Sequence, residues 1–152
     1  MIYNHITILL AEDDPDDCFL FEKALQEITT TTKLVIVKNG EQLMDYLAVH
    51  TANLPDILFL DLSMPRKNGF ECLIEIKEDV RLEKLPVVIF STSFTRGNDL
   101  EQYLINTFSK MGALDYIRKP NDFEQLKNVI HQALLKLIER DGSIPKVKTD
   151  SK

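Results

Sequence analysis

Two kinds of hydrophobic pattern alternate along the chain. Short, nearly unbroken apolar runs occur at residues 6–11, in the Leu-Val-Ile-Val centre of residues 33–38, and at residues 56–60 and 86–90; a weaker one lies at residues 114–118. Between them, apolar residues recur at three- and four-residue steps: Cys18, Phe21, Leu25 and Ile28; Leu43, Met44 and Leu47; Leu73, Ile74 and Ile76 within residues 70–80; Leu100, Leu104 and Met111 with Tyr103 and Phe108 in and just beyond residues 98–110; and Phe123, Leu126, Ile130, Ala133, Leu134 and Leu137. A short continuous apolar run fits a strand buried on both faces, whereas the longer spacing fits a helix with one apolar stripe. The chain therefore reads as strand and helix in alternation, five times over.

Turn chemistry separates these segments. Asp16 and Asp17 suit the N-cap of the first helix, a run of four threonines follows it, and Asn39-Gly40, Asn53-Leu54-Pro55, Pro65, Gly69 and Gly112 mark later breaks. Repeated strand–helix units connect by right-handed crossovers, which gives an α/β fold: a doubly wound, five-stranded parallel sheet with helices on both faces. With 152 residues the chain suits one domain, assigned to residues 1–140, and the apolar period fades from Asp141 into a flexible C-terminal tail at 141–152.

Composition narrows the function classes. At 44% hydrophobic and 28% charged residues the chain is an ordinary globular one. A formal net charge of -6 lacks the basic footprint that nucleic-acid binding requires. No apolar run approaches the roughly 20 residues of a membrane span, and no leader pattern opens the chain, so a cytoplasmic protein without membrane contact is expected. Cys18 and Cys72 fit no metal-ligand spacing and read as reduced core thiols.

Candidate chemistry lies where the strands end. In open parallel sheets ligands bind at the C-terminal edge of the strands. Glu12-Asp13, Asp61, Ser91 and Lys119 each directly follow a predicted strand, so four separate segments converge on one rim. Taken singly, each has a plain alternative as a helix cap, a turn residue or a solvated surface group. Clustered carboxylates repel one another unless a cation neutralises them, and an oxygen-only donor set favours Mg²⁺. Asp13 and Asp61 are the expected direct ligands, with Glu12 acting through water. A carboxylate can attack phosphorus when charge on the incoming oxygens is neutralised, and Lys119 and Ser91 supply an ammonium and a hydroxyl for that task.

At this point the chain resembles the response-regulator receiver family of two-component signalling, over about residues 5–138. The resemblance rests on Ile8-Leu9-Leu10-Ala11-Glu12-Asp13-Asp14, on Asp61-Leu62-Ser63-Met64-Pro65 with Gly69 downstream, on Ser91-Thr92, and on Tyr116-Ile117-Arg118-Lys119-Pro120. It implies the flavodoxin-like (βα)5 fold of a stand-alone, single-domain regulator that is a phosphoacceptor switch and not an enzyme. Asp61 would accept a phosphoryl group from a histidine kinase or histidine phosphotransfer protein. Mg²⁺ would be held by Asp13, Asp61 and the main-chain carbonyl of Ser63; Lys119 and Ser91 would contact the phosphoryl group; Tyr116 would turn inward as Ser91 moves.

Three departures from the family pattern stand out: Glu12 in place of the commoner Asp, Ser91 in place of the commoner Thr, and the long stretch of 27 residues, 92–118, between Ser91 and Lys119. The extra length is expected in the connection after the fourth strand or in the fourth helix. The surface of that helix, the fifth strand and the fifth helix is the expected docking face for a downstream protein. A haloacid-dehalogenase-type phosphatase also uses a strand-end Asp and Mg²⁺, but it needs a second Asp two residues on, where this chain has Ser63. An FMN carrier of the same fold would offer hydroxyls and N–H groups in its first loop, where this chain has Glu12-Asp13-Asp14. A receiver that binds partners without phosphorylation is the remaining alternative.

Overall fold

All five apolar runs are strands: β1 (Ile6–Ala11), β2 (Thr32–Val37), β3 (Ile57–Leu60), β4 (Val87–Ser91) and β5 (Asp115–Arg118). The periodic stretches are helices: α1 (Pro15–Gln26), α2 (Gly40–Val49), α3 (Gly69–Glu78), α4 (Asn98–Lys110) and α5 (Phe123–Asp141). The computed structural model describes residues 5–28, 31–92 and 98–141. The expected enlargement of the β4–α4 connection at residues 93–97, and the tail from residue 142 on, lie outside the described residues. The strands form one parallel sheet in the order β2-β1-β3-β4-β5. The winding direction reverses between β1 and β3, which opens a crevice at their C-terminal ends.

Burial explains why the central runs are continuous in sequence. Leu9, Ala11, Leu58, Leu60, Val87 and Ile89 face a core closed by Leu43 and Leu47 of α2, Leu73 and Ile76 of α3, and Phe108 of α4. Alternate residues of the same strands, Ile8, Leu10, Ile57, Phe59, Val88 and Phe90, face a second core closed by α1 and α5. Both faces being dry, every position of β1, β3 and β4 selects an apolar side chain. β2 and β5 are the sheet edges and are only half-buried, which is why β5 reads weakly.

Local chemistry sets the helix ends. Asp14, not Asp16 or Asp17, caps α1, its Oδ1 accepting from the amides of Asp16 at 2.8 Å and Asp17 at 3.4 Å. Pro15 suits the first helical position because its missing N–H would have no partner there, and the cap therefore falls one residue before it. Helix α1 stops at Gln26, so Ile28 packs on the core from beyond the helix. Asn68 and Glu71 form a reciprocal capping box on α3. That helix ends at Glu78, two residues short of the periodic stretch, because Asp79 takes an extended backbone and its carboxylate binds the Arg81 amide at 2.8 Å and the guanidinium at 2.9 Å. α4 occupies the bounds expected from its pattern and closes at Gly112, whose φ of 99° is in the left-handed region that glycine tolerates.

In the α1/α5 core, the rings of Phe21, Phe59 and Phe90 meet edge to face with centroids 5.0, 5.7 and 6.0 Å apart. This trio ties α1 to β3, which Asp61 directly follows, and to β4, which ends in Ser91. Phe59→Ala is expected to lower unfolding free energy by about 3–5 kcal/mol through lost burial and a residual cavity. Urea denaturation checks it, and a loss below about 1 kcal/mol would mean that the trio does not hold these elements together.

Candidate functional site

Strand register assembles the site. Ala11 pairs with Leu60 and Ser91 with Arg118, so Glu12, Asp61, Ser91 and Lys119 emerge side by side at one edge of the sheet. Backbone bonds fix the exits: Asp61 N–H donates to Ala11 O at 3.1 Å, and Lys119 N–H to Ser91 O at 2.9 Å. The loop after Asp61 lies against it directly. A methyl on Gly69 would stand 2.2 Å from the Asp61 carbonyl oxygen, so only glycine allows α3 to begin there. Buried Leu62 and Met64 anchor the same loop.

Asp61 is 4% exposed and its Oδ1 accepts from the fully buried Ser91 hydroxyl at 2.9 Å. The Ser63 amide approaches the same oxygen at 3.4 Å. The Lys119 ammonium is 2.5 Å from Glu12 Oε1, 2.9 Å from Asp17 Oδ2 and 3.8 Å from Asp61 Oδ2. It therefore lies closer to Glu12 and Asp17 than to Asp61. Carboxylate oxygens of Glu12, Asp13 and Asp61 lie within 4.8 Å of one another.

Glu12 is 1% exposed, and burial, reinforced by the Asp61 charge against the opposing hydrogen bond from Lys119, pushes its carboxyl up to about 7. Burial by itself would lower Lys119, but hydrogen bonds to Glu12 and Asp17 and the Asp61 charge outweigh it and raise the ammonium to about 12. The two shifts agree physically. One ammonium serves several carboxylates, so it stays charged while the buried Glu12 carboxyl is still held above the ordinary carboxylate range.

The residues expected at the rim, Glu12, Asp13, Asp61, Ser91 and Lys119, are thus brought together. Ser63 is exposed beside Asp61. Tyr116 is half-buried and stacks on Phe108, with centroids 5.8 Å apart and planes 16° apart. Its hydroxyl is buried with no hydrogen-bond partner among the described residues. Asp17, an N-cap candidate in the sequence, instead joins the site through Lys119. The signal for its true place was its phase: with Pro15 opening the helix, Asp17 lies four residues before the core residue Phe21, on the same inward stripe.

The family model described as the response regulator receiver domain matches residues 8–131. The chain belongs to that family. This receiver is 33% identical over 128 residues to the probable methanogenesis regulatory protein FilR2 of Methanothrix harundinacea, covering 82% of this chain and 79% of that one. It is 33% identical over 100 residues to the response regulator Rcp1 of Synechocystis, covering 63% of this chain and 68% of that one. Among solved structures, the phosphorylated cyanobacterial phytochrome response regulator RcpA superposes with a TM-score of 0.73 at 31% identity, over 94% of this chain and 99% of that one. The Mn²⁺-bound form of Rcp1 superposes with a TM-score of 0.70 at 26% identity, over 94% and 96% of the two chains. The receiver fold, five parallel strands flanked by five helices, is shared with these neighbours. Among the described residues of this receiver, no helix is long and apolar enough to cross a membrane.

A pH dependence follows for the metal-free receiver. With Glu12 raised from 4.5 to about 7, the folded state holds a proton that the unfolded chain has released, so stability falls as pH rises from 4.5 through about 7. Glu12→Gln removes that loss. It is expected to stabilise the protein in chelator at pH 8 by about 1–3 kcal/mol and to change little near pH 4.5, read from denaturant midpoints at both pH values.

Proposed function

We propose that the protein is a phosphoryl-accepting switch in two-component signalling, with Asp61 as the acceptor and a histidine kinase or histidine phosphotransfer protein as the donor. The observation that carries this reading is the setting of Asp61: a buried strand-end carboxylate bonded to Ser91 at 2.9 Å, 3.8 Å from the Lys119 ammonium and beside Glu12 and Asp13. An Asp61 oxygen attacks phosphorus, the bond from phosphorus to the donor imidazole nitrogen breaks, and that nitrogen keeps the electron pair and takes up a proton. Lys119 and the Ser91 hydroxyl balance charge on the transferred oxygens.

An oxygen-only donor set of three acids fits Mg²⁺; Asp13, Asp61 and the Ser63 carbonyl would hold it, with Glu12 acting through water. When bound, the ion supplies electrostatic stabilisation of the phosphoryl oxygens. The chain does not turn over small phosphoesters, because Ser63 stands where such an enzyme would need its general acid.

Movement of Ser91 toward a phosphoryl group would leave room for Tyr116, whose partnerless hydroxyl and contact with Phe108 suit a side chain with two resting places. A hollow of about 840 Å³ lined by Glu101, Ile105, Tyr116, Arg118 and Gln125 opens on the α4, β5 and α5 face and supports that face as the docking surface for a downstream protein. The net charge of -6 favours a protein partner over nucleic acid or an anionic membrane surface. The setting is the cytoplasm, where ATP-fed phosphoryl donors act.

With acetyl phosphate and Mg²⁺, intact-protein mass spectrometry is expected to show one added phosphoryl group on wild type, none on Asp61→Asn and none in excess chelator. Lys119→Ala is expected to slow uptake by roughly a hundredfold, the scale of losing a fixed charge at developing phosphoryl oxygens. No adduct on wild type from acetyl phosphate or from a kinase would point instead to a module that only binds partners.

A further inference from the structure

Asp17 belongs to none of the roles assigned above, yet it makes one of the two shortest contacts of the Lys119 ammonium. Nζ lies 2.5 Å from Glu12, 2.9 Å from Asp17 and 3.8 Å from Asp61. An ammonium has three N–H donors, and the Asp61 separation is beyond hydrogen-bond length. Glu12 follows β1 and Asp17 sits in the first turn of α1, so both draw Nζ toward the β1–α1 side of the crevice. The Lys119 side chain is 11% exposed and the Asp17 side chain 33%, so the contact is partly shielded from solvent screening.

We propose that Asp17 is a positioning residue that sets how the Lys119 ammonium is shared between the acidic pocket and a phosphoryl group on Asp61. The inference rests on the reading of Asp61 as the phosphoryl acceptor, and it has two consequences of opposite sign. Before phosphorylation, Lys119 deprived of Asp17 turns its donors to Glu12 and Asp61 and competes harder with Mg²⁺ for them. In the Mg²⁺-loaded site those two acids are already neutralised, and the ammonium divides itself between Asp17 and the incoming phosphoryl oxygens. Without Asp17, Lys119 commits to the phosphoryl oxygens.

A role confined to the helix terminus would look different. An acid in the first turn favours the helix dipole wherever it points, and Asp16 has that role too, being exposed and forming no ion pair among the described residues. Asp16→Asn therefore removes the same charge from the same turn without touching Lys119.

Asp17→Asn, Asp17→Glu and Asp16→Asn are compared with wild type by two measurements: Mg²⁺ affinity from an NMR titration, and the initial rate of phosphorylation by phosphoramidate at saturating Mg²⁺. Asp17→Asn is expected to bind Mg²⁺ about three- to tenfold more weakly and to be phosphorylated about three- to tenfold faster, as loss of one charge-assisted hydrogen bond requires. Asp17→Glu should return both values toward wild type, and Asp16→Asn should stay within about twofold of it. Both quantities moving in one direction in Asp17→Asn, only one of them moving, or a match to Asp16→Asn would overturn the inference alone. A wild type that takes up no phosphoryl group would overturn the reading of Asp61, and this inference with it.

Discussion

One buried ammonium among several carboxylates governs this molecule. Lys119 leaves the end of β5 and reaches across the sheet edge to acids that follow β1, begin α1 and follow β3. Without it, Glu12 and Asp61 would be like charges in a nearly dry crevice, and the ends of β1 and β3 could not lie side by side with both acids ionised. The register that pairs Ala11 with Leu60 and Ser91 with Arg118 delivers the ammonium to the acids, and the ammonium in turn makes that convergence tolerable.

This balance is incomplete by design of the residue set. Lys119 is held charged, while burial and the Asp61 charge still hold Glu12 well above the ordinary carboxylate range. The pocket therefore retains surplus negative potential in the place where a divalent cation and then a phosphoryl group are proposed to arrive. Stability and function draw on the same charges in opposite senses, a trade expected wherever a site is kept poised and not relaxed.

Much of the fold was legible in the sequence because the central strands are buried on both faces and admit only apolar residues, as in Ile57-Leu58-Phe59-Leu60. The edge strand β5 was fainter, since half its surface meets water and its pattern mixes Asp115 and Arg118 with Tyr116 and Ile117. The rim residues Asp61, Ser91 and Lys119 were legible because each ends or directly follows a strand, a position that topology alone converts into proximity. Asp17 was not, because it closes no strand. Its contact depends on its place one turn before Phe21 on the inward stripe of α1, which the Asp-Asp-Pro-Asp-Asp run signals only when Pro15 is taken as the first helical residue and Asp14 as the cap.

Two close-packed glycines that hold the β3–α3 loop, Gly40 at the start of α2 and Gly69 at the start of α3, give the molecule a stiff side and a soft side. A methyl on Gly40 would lie 2.0 Å from the Lys67 carbonyl oxygen, and one on Gly69 2.2 Å from that of Asp61, so the loop between them is wedged against α2 and the strand end with no slack. On the opposite flank, a hollow of about 440 Å³ lies between the loop residues Leu62 and Met64 and Leu104 and Phe108 of α4. Close-packed contacts resist compression, while a void offers no restoring force until it is filled. The loop that follows Asp61 thus meets close packing toward α2 and open space toward α4.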